Sequence, residues 1–238
     1  MQDSYIGDIG DYGKYGLLRA VCAESLTLAV NWYRTAPVQT AKQNDGKYTG
    51  YLSMPQLYRE YDPALFDALH KIVNQESDRR IERLEKEGLF QAVCFSDVIS
   101  VDRTAWHRKA LERTQGAAVV FLDPDNGLET ARMHRTGGAS EKHVMWAELR
   151  DYYARRQNVI LYQHRPQMTS KEKCIDGVIA FQENYLMADC VKLLEFPKYT
   201  NRFYFMFLYR EYEPAFTRIC SSMAQKWGAN GFCREIYK

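Results

Sequence analysis

Four side chains close together in the chain, Asp123, Asp125, Asn126 and Glu129, carry the clearest chemical signal in this sequence. They follow directly on Ala117-Ala118-Val119-Val120-Phe121-Leu122, an unbroken apolar run. Such a run reads as a strand buried on both faces, as in a parallel sheet. Open α/β sheets bind ligands outside the carboxyl ends of their strands. Two or three carboxylates and an amide at such an end can exchange protons, accept hydrogen bonds from a substrate, or hold a hard cation through oxygen. Asp-Pro-Asp-Asn-Gly is also a turn-forming composition, which needs no chemistry to explain it.

Three further clusters share this character. Residues 4–16 repeat glycine at 7, 10, 13 and 16, with Asp8, Asp11 and Lys14 between them. Glycine this dense permits close backbone approach to a ligand, and a glycine-rich turn feeding a helix presents free N–H groups to an anion. The spacing matches neither the dinucleotide fingerprint nor the phosphate-binding P-loop, and a flexible arm leading into a helix accounts for it equally. A second apolar stretch ends at Asn31-Trp32-Tyr33, and a third at Tyr162-Gln163-His164-Arg165. His164 is a candidate acid or base and Arg165 a candidate anion contact. Trp32, Tyr48 and Tyr162 could each offer a stacking face. A lone histidine serves structure as readily as catalysis.

The elements that must position these residues are legible as a pattern. Buried strands are expected at 26–34, 117–122 and 158–162, a short strand at 89–95, a strongly β-prone run at 202–209, and a closing strand at 231–237. Helices are expected at 102–115 with Asp102 as cap, about 145–155, 169–187 and 214–227. The charge-rich stretch 53–88 reads as a helical insertion after the first strand, with Asp62 as N-cap and Pro63 in the first turn. Asn44-Asp45-Gly46 marks a turn. Strands alternate with helices, so the expected class is α/β: one Rossmann-like domain over 1–238, its mostly parallel sheet flanked by helices. The last two strands are expected to pair antiparallel at one edge. Parallel strands would bring three of the polar clusters to one rim, and that convergence argues for a single site.

Composition narrows the function classes. The chain has 238 residues, 46% hydrophobic and 26% charged, with net charge +2. A globally basic nucleic-acid binder is not indicated, whereas a local basic patch is compatible with these numbers. The 17 Tyr and 11 Phe exceed what stacking surfaces need, so many belong to the core. The six cysteines are scattered without a Cys-x-x-Cys pair, which disfavours a zinc site and fits a reduced, cytoplasmic setting. No apolar run approaches the ~20 residues of a membrane span.

A family resemblance enters here. Leu122-Asp123-Pro124-Asp125 at a strand's end resembles the Asp-Pro-Pro-aromatic motif of S-adenosylmethionine-dependent amino-methyltransferases. Gly7-Asp8-Ile9-Gly10-Asp11-Tyr12-Gly13-Lys14-Tyr15 resembles the opening of one such family, the large-subunit ribosomal RNA adenine-N6 methyltransferases. Gly7, Asp8, Asp11, Lys14 and Tyr15 fall on that opening's glycine, Asn, Asp, Lys and His positions. The order of elements is similar too, from glycine-rich opening through strand and helical stretch to the Asp-Pro strand. The resemblance implies S-adenosylmethionine as cofactor, its amino-acid end held by Gly7, Asp11 and Lys14; Asp8, Gly10, Asn31 and Trp32 are further candidates for its site. It implies that Asp123 and the Pro124 carbonyl orient the acceptor, with Asp125, Asn126 and His164 beside them and Tyr48, Tyr162 and Arg165 toward the substrate, which could be nucleic acid. Asp125 and Asn126 depart from the motif's second proline and aromatic, and Asn31-Trp32-Tyr33 departs from the glycine-rich cofactor loop.

Two other readings remain open. Asp123, Asp125 and Glu129 could bind Mg²⁺ or Mn²⁺ for phosphodiester hydrolysis, with Lys14, His164 or Arg165 meeting the phosphate. Alternatively the chain is a catalytically degenerate α/β domain that binds a nucleotide or a partner.

Overall fold

The computed structural model describes residues 2–36, 46–137 and 140–236. In chain order its elements are α1 (Ile9–Ala23), β1 (Leu28–Asn31), α2 (Pro55–Tyr58), α3 (Pro63–His70), α4 (Ile81–Glu87), β2 (Ala92–Phe95), α5 (Arg103–Arg113), β3 (Val119–Leu122), β4 (Gly127–Leu128), α6 (Ala131–Thr136), β5 (His143–Val144), α7 (Trp146–Ala154), β6 (Asn158–His164), α8 (Lys171–Phe181), β7 (Cys190–Phe196), β8 (Arg202–Leu208), α9 (Glu213–Trp227) and β9 (Arg234–Glu235). The apolar runs at 26–34, 117–122 and 158–162 become β1, β3 and β6 in the middle of one sheet, ordered β2-β1-β3-β6-β8-β7-β9, with β2 at its edge. β1, β2, β3 and β6 run parallel, and β8 runs antiparallel to both β6 and β7. The fold is Rossmann-like α/β. The short β4 and β5 pair separately, just beyond the end of β3.

Strand alternation sorts the core into two layers. Val119 and Phe121 of β3 join the apolar cluster that holds α1, α3, α4 and α9. Val120 and Leu122 join the opposite cluster with α5, α7 and α8. Both faces are covered, so the strands read as continuous apolar runs without alternation. The caps read from the sequence are present. Asp62 accepts from the Leu65 N–H at 3.1 Å, and Asp102 from the Ala105 N–H at 2.9 Å.

Several expectations change. The glycine-rich opening is not a ligand-wrapping turn. The helix begins at Ile9 with Asp8 as its cap, accepting from the Gly10 N–H at 2.9 Å. Gly10, Gly13 and Gly16 then fall on one helical face at three-residue spacing. A Cβ at Gly13 would lie 2.6 Å from the Phe196 ring, and one at Gly16 2.2 Å from the Trp227 ring. These glycines let α1 seat against β7 and α9. The helical stretch after β1 breaks into α2, α3 and α4 and packs on the α1 side of the sheet through Leu65, Phe66, Leu69, Ile81 and Leu84. The turn residues at 43–45 and the end of the closing strand at 237 lie outside the described residues.

The last two strands do not pair with each other. β7, which the sequence reading passed over, lies between them and pairs antiparallel with both. Lys192 and Glu195 interrupt its apolar pattern. Glu195 is nevertheless fully buried, because Lys171, Arg234 and Asn201 all donate to it.

Candidate active site

β3 ends at Leu122, and Asp123 continues its alternation onto the α1 face. There the Lys14 ammonium lies 2.8 Å from Asp123 Oδ2 and 2.8 Å from Asp11 Oδ1. Tyr15 donates to Asp11 Oδ2 at 2.8 Å. Positions 11, 14 and 15 of one helix necessarily share a face, so helical periodicity assembles the first half of the site and β3 supplies the other. All three charged side chains are at least nine-tenths buried.

The next strand contributes on the same face. Tyr162 and His164 follow Ile160 by strand alternation, and the Lys14 Nζ sits 5.6 Å from the Tyr162 ring centre. The Tyr162 hydroxyl is 3.4 Å from His164 Nδ1. His164 pairs in register with Arg202. Because β8 is antiparallel, its first residue reaches the rim where β3 and β6 end. Arg202 there meets Asp8 Oδ1 at 3.0 Å. Together these groups border a cavity of about 190 Å³, which Asp8, Gly10, Asp11, Lys14, Asp123, Asp125, Asn126, Tyr162 and His164 line, with Tyr5, Pro124, Lys142 and Arg202.

Burial acts on five of these groups. Burial pushes the Asp123 carboxyl above the usual carboxylate range, while Lys14 pulls against that rise. Burial alone works against the Lys14 ammonium, but Asp11 and Asp123 outweigh it and hold its pKa above that of a free lysine. Burial raises Asp8, with Arg202 and the Gly10 N–H opposing. It pushes the Tyr162 phenol up to about 12. Burial, then Arg202 and Arg165, hold His164 below an ordinary histidine. The arrangement can receive a ligand that carries both charges, and Asp123 can accept a hydrogen bond from a substrate N–H.

The remaining expected site residues lie elsewhere, and the reasons are geometric. Asn31 shares β1's other face, where its amide donates to the Tyr152 hydroxyl at 3.0 Å and accepts from the Tyr33 N–H at 3.1 Å. The Trp32 ring is buried in the core, its indole N–H donating to Glu85 at 2.8 Å. Gly7 holds the turn before α1 at φ +79° against Val73, outside the cavity wall. Tyr48 stands just outside the cavity, its N–H donating to Asp8 Oδ2 at 3.1 Å. Arg165 donates to the Thr169 carbonyl at 2.9 Å.

Glu129 turns away from Asp123 and Asp125. It accepts from the Trp146 N–H at 2.6 Å and lies 3.3 Å from His134. The three-acid metal set therefore does not converge, and among the described residues no group of three His, Cys, Asp or Glu side chains could hold a metal.

Arg202, Lys142 and Tyr5 were not singled out from the sequence. Arg202 opens an apolar strand, a position that carries no functional sign until the strand's direction is known. Lys142 reaches the cavity from a loop that Arg103 fastens through the Ser140 and His143 carbonyls, at 2.8 and 2.6 Å.

No protein-family model and no curated protein sequence matches the chain. Among solved structures it is similar to protein LPL1258 of Legionella pneumophila strain Philadelphia 1, of the DUF519 family. That alignment has a TM-score of 0.52 and 12% identity and covers 98% of this chain and 96% of that one. An alignment with human methyltransferase-like protein 13, solved in complex with SAH, has a TM-score of 0.36 and 12% identity over 91% of this chain and 89% of that one. At 12% identity the first similarity concerns the fold alone. No helix among the described residues is long and apolar enough to cross a membrane.

Proposed function

We propose that this chain is an S-adenosylmethionine-dependent methyltransferase-like enzyme acting on an amine of a nucleic acid. One observation carries the proposal. The two stretches with the family resemblance, 109 residues apart at Lys14 and Asp123, meet in one cavity through a 2.8 Å contact. The cavity lies beyond the ends of β3 and β6, where α/β sheets take ligands.

The residues present fit one end of the cofactor. Asp8, Asp11, Asp123 and Asp125 with Lys14, Lys142 and Arg202 set charges of both signs around the cavity, which suits the paired ammonium and carboxylate of an amino acid. About 190 Å³ is below the ~300–1,000 Å³ of sites for drug-sized ligands, so the nucleoside end reaches beyond this cavity. Asn31 and Trp32, committed to the core, give it no wall. When bound, the cofactor supplies a methyl group on a sulfonium. Asp123 accepts the hydrogen bond of the acceptor amine, its basicity raised by burial. Lys14 holds that carboxylate in place, and Tyr162 closes one side against water.

The small cavity and the closed Lys14–Asp11–Asp123 triad favour one second reading, a catalytically silent domain that binds a charged small molecule. Calorimetry with S-adenosylmethionine and its demethylated product separates the two, followed by methyl transfer to RNA and DNA oligonucleotides. Arg202→Gln is expected to weaken cofactor binding, and Asn31→Ala to leave it unchanged. Asp123→Asn should abolish transfer while binding persists. Binding with no transfer to any acceptor would support the silent domain, and a flat titration by folded protein would end the methyltransferase reading.

A further inference from the structure

Beside the cavity stands a pair of aromatic rings, one packed against the core and one on the surface. Tyr48 and Tyr199 stack with ring centres 4.7 Å apart and planes 15° from parallel. Tyr199 is 54% exposed, so the stack presents an open face to solvent. Its backbone is left-handed at φ +64°, a conformation that a bulky side chain rarely adopts and that concentrates at functional sites.

The backbone at both rings is tied to cavity residues. The Tyr48 N–H donates to Asp8 Oδ2 at 3.1 Å. The Arg202 guanidinium donates to the Lys198 and Thr200 carbonyls, at 3.2 and 3.4 Å, and so brackets Tyr199. Asp8 and Arg202 themselves pair at 3.0 Å. These bonds place the stack at the rim of the cavity. Cations accompany it. The Lys47 Nζ sits 5.4 Å from the Tyr48 ring centre, Lys198 precedes Tyr199, and Lys142 is exposed on the cavity's lining.

We infer that the Tyr48–Tyr199 stack is a docking platform for one base of a single-stranded nucleic acid. This rests on the methyl-transfer reading of the cavity and extends it to the rim. A ring face flanked by ammonium groups matches a base joined to phosphates, the combination used to hold single strands without reading their sequence. A duplex keeps its bases stacked inside and offers none to a single exposed ring. A chain with net charge +2 has no general affinity for polyanions, so a local platform must supply the grip.

The test is fluorescence anisotropy with labelled single-stranded RNA and DNA of one sequence and with the RNA duplex. The full chain is compared with Tyr199→Ala and Tyr199→Phe, alongside cofactor calorimetry on each. Tyr199 is on the surface, so thermal melts should be unchanged. Tyr199→Ala should weaken single-strand binding about tenfold or more, the loss expected for one stacked base. Tyr199→Phe, which keeps the ring, should stay within about twofold, and cofactor binding should not move in either variant. Binding of RNA alone, or of RNA and DNA alike, supports the platform and tells whether the sugar is read. Equal affinity of Tyr199→Ala and wild type, a preference for duplex, or no saturable binding by wild type would overturn it. A flat cofactor titration with the tenfold loss intact would instead overturn the methyl-transfer reading and leave the platform standing.

Discussion

Replacing Lys14 by methionine tests the centre of the site. Lys14 is 4% exposed and lies 2.8 Å from two carboxylates, themselves 7% and 2% exposed. Methionine keeps the apolar stem and removes the charge, which leaves Asp11 and Asp123 facing each other in a buried space. Breaking a buried pair in this way costs about 3–5 kcal/mol. For a domain of this size 1 kcal/mol moves the melting temperature by about 2–4 °C, so a fall of roughly 10 °C is expected near pH 7. The loss should also depend on pH. Burial already raises the folded pKa of Asp123, and losing Lys14 raises it further. A carboxyl with a raised folded pKa contributes stability below its unfolded value of about 3.9 and loses it as pH rises through the folded value. The gap between Lys14→Met and wild type should therefore be widest at pH 7–8 and shrink toward pH 4. Urea unfolding at pH 8, 6 and 4 measures it, and adding Asp123→Asn should return part of the stability at neutral pH. A loss below about 1 kcal/mol at pH 7, or a gap indifferent to pH, would refute the buried triad.

Two further outcomes follow from the packing and the charges. Gly16→Ala gains up to about 1 kcal/mol of helix propensity, but its Cβ would meet the Trp227 ring at 2.2 Å. Overpacking of that kind costs about 1–3 kcal/mol, so urea unfolding should show a net loss, and a net gain would mean that α1 and α9 pack more loosely than described. His164 is held below its ordinary pKa by burial, then by Arg202 and Arg165, so its neutral form supports the fold above about pH 6.5 and that support is lost as pH falls through the lowered value. Thermal melts from pH 8 to pH 5 should show wild type losing stability that His164→Asn retains, and parallel curves would place the acid sensitivity elsewhere.

Most of the sheet's middle could be read from the residues because each strand there is buried on both faces. Val119–Leu122 and Val159–Leu161 had to be apolar throughout, and so they announced themselves. Asp62 and Asp102 announced helix starts because capping is a local event. β7 did not, since the charge of Glu195 is tolerated only with donors from two distant segments, at Lys171 and Arg234, and from Asn201 in the turn that follows. The glycines of α1 misled for a related reason. Glycine allows close approach, and the local sequence does not say whether a ligand or a tryptophan approaches.

The sequence alone determined that Asp123 stands at a buried strand's end and that the class is α/β, because period and burial are written in residue type. The tertiary structure decided the membership of the site. Strand alternation sends Asn31 to the face of α7 and Asp123 to the face of α1. The antiparallel run of β8 carries Arg202, from near the far end of the chain, to the rim beside His164. Side-chain period is local, but strand direction and sheet order are set by pairings between residues far apart in the chain, and those pairings exist only once the chain has folded.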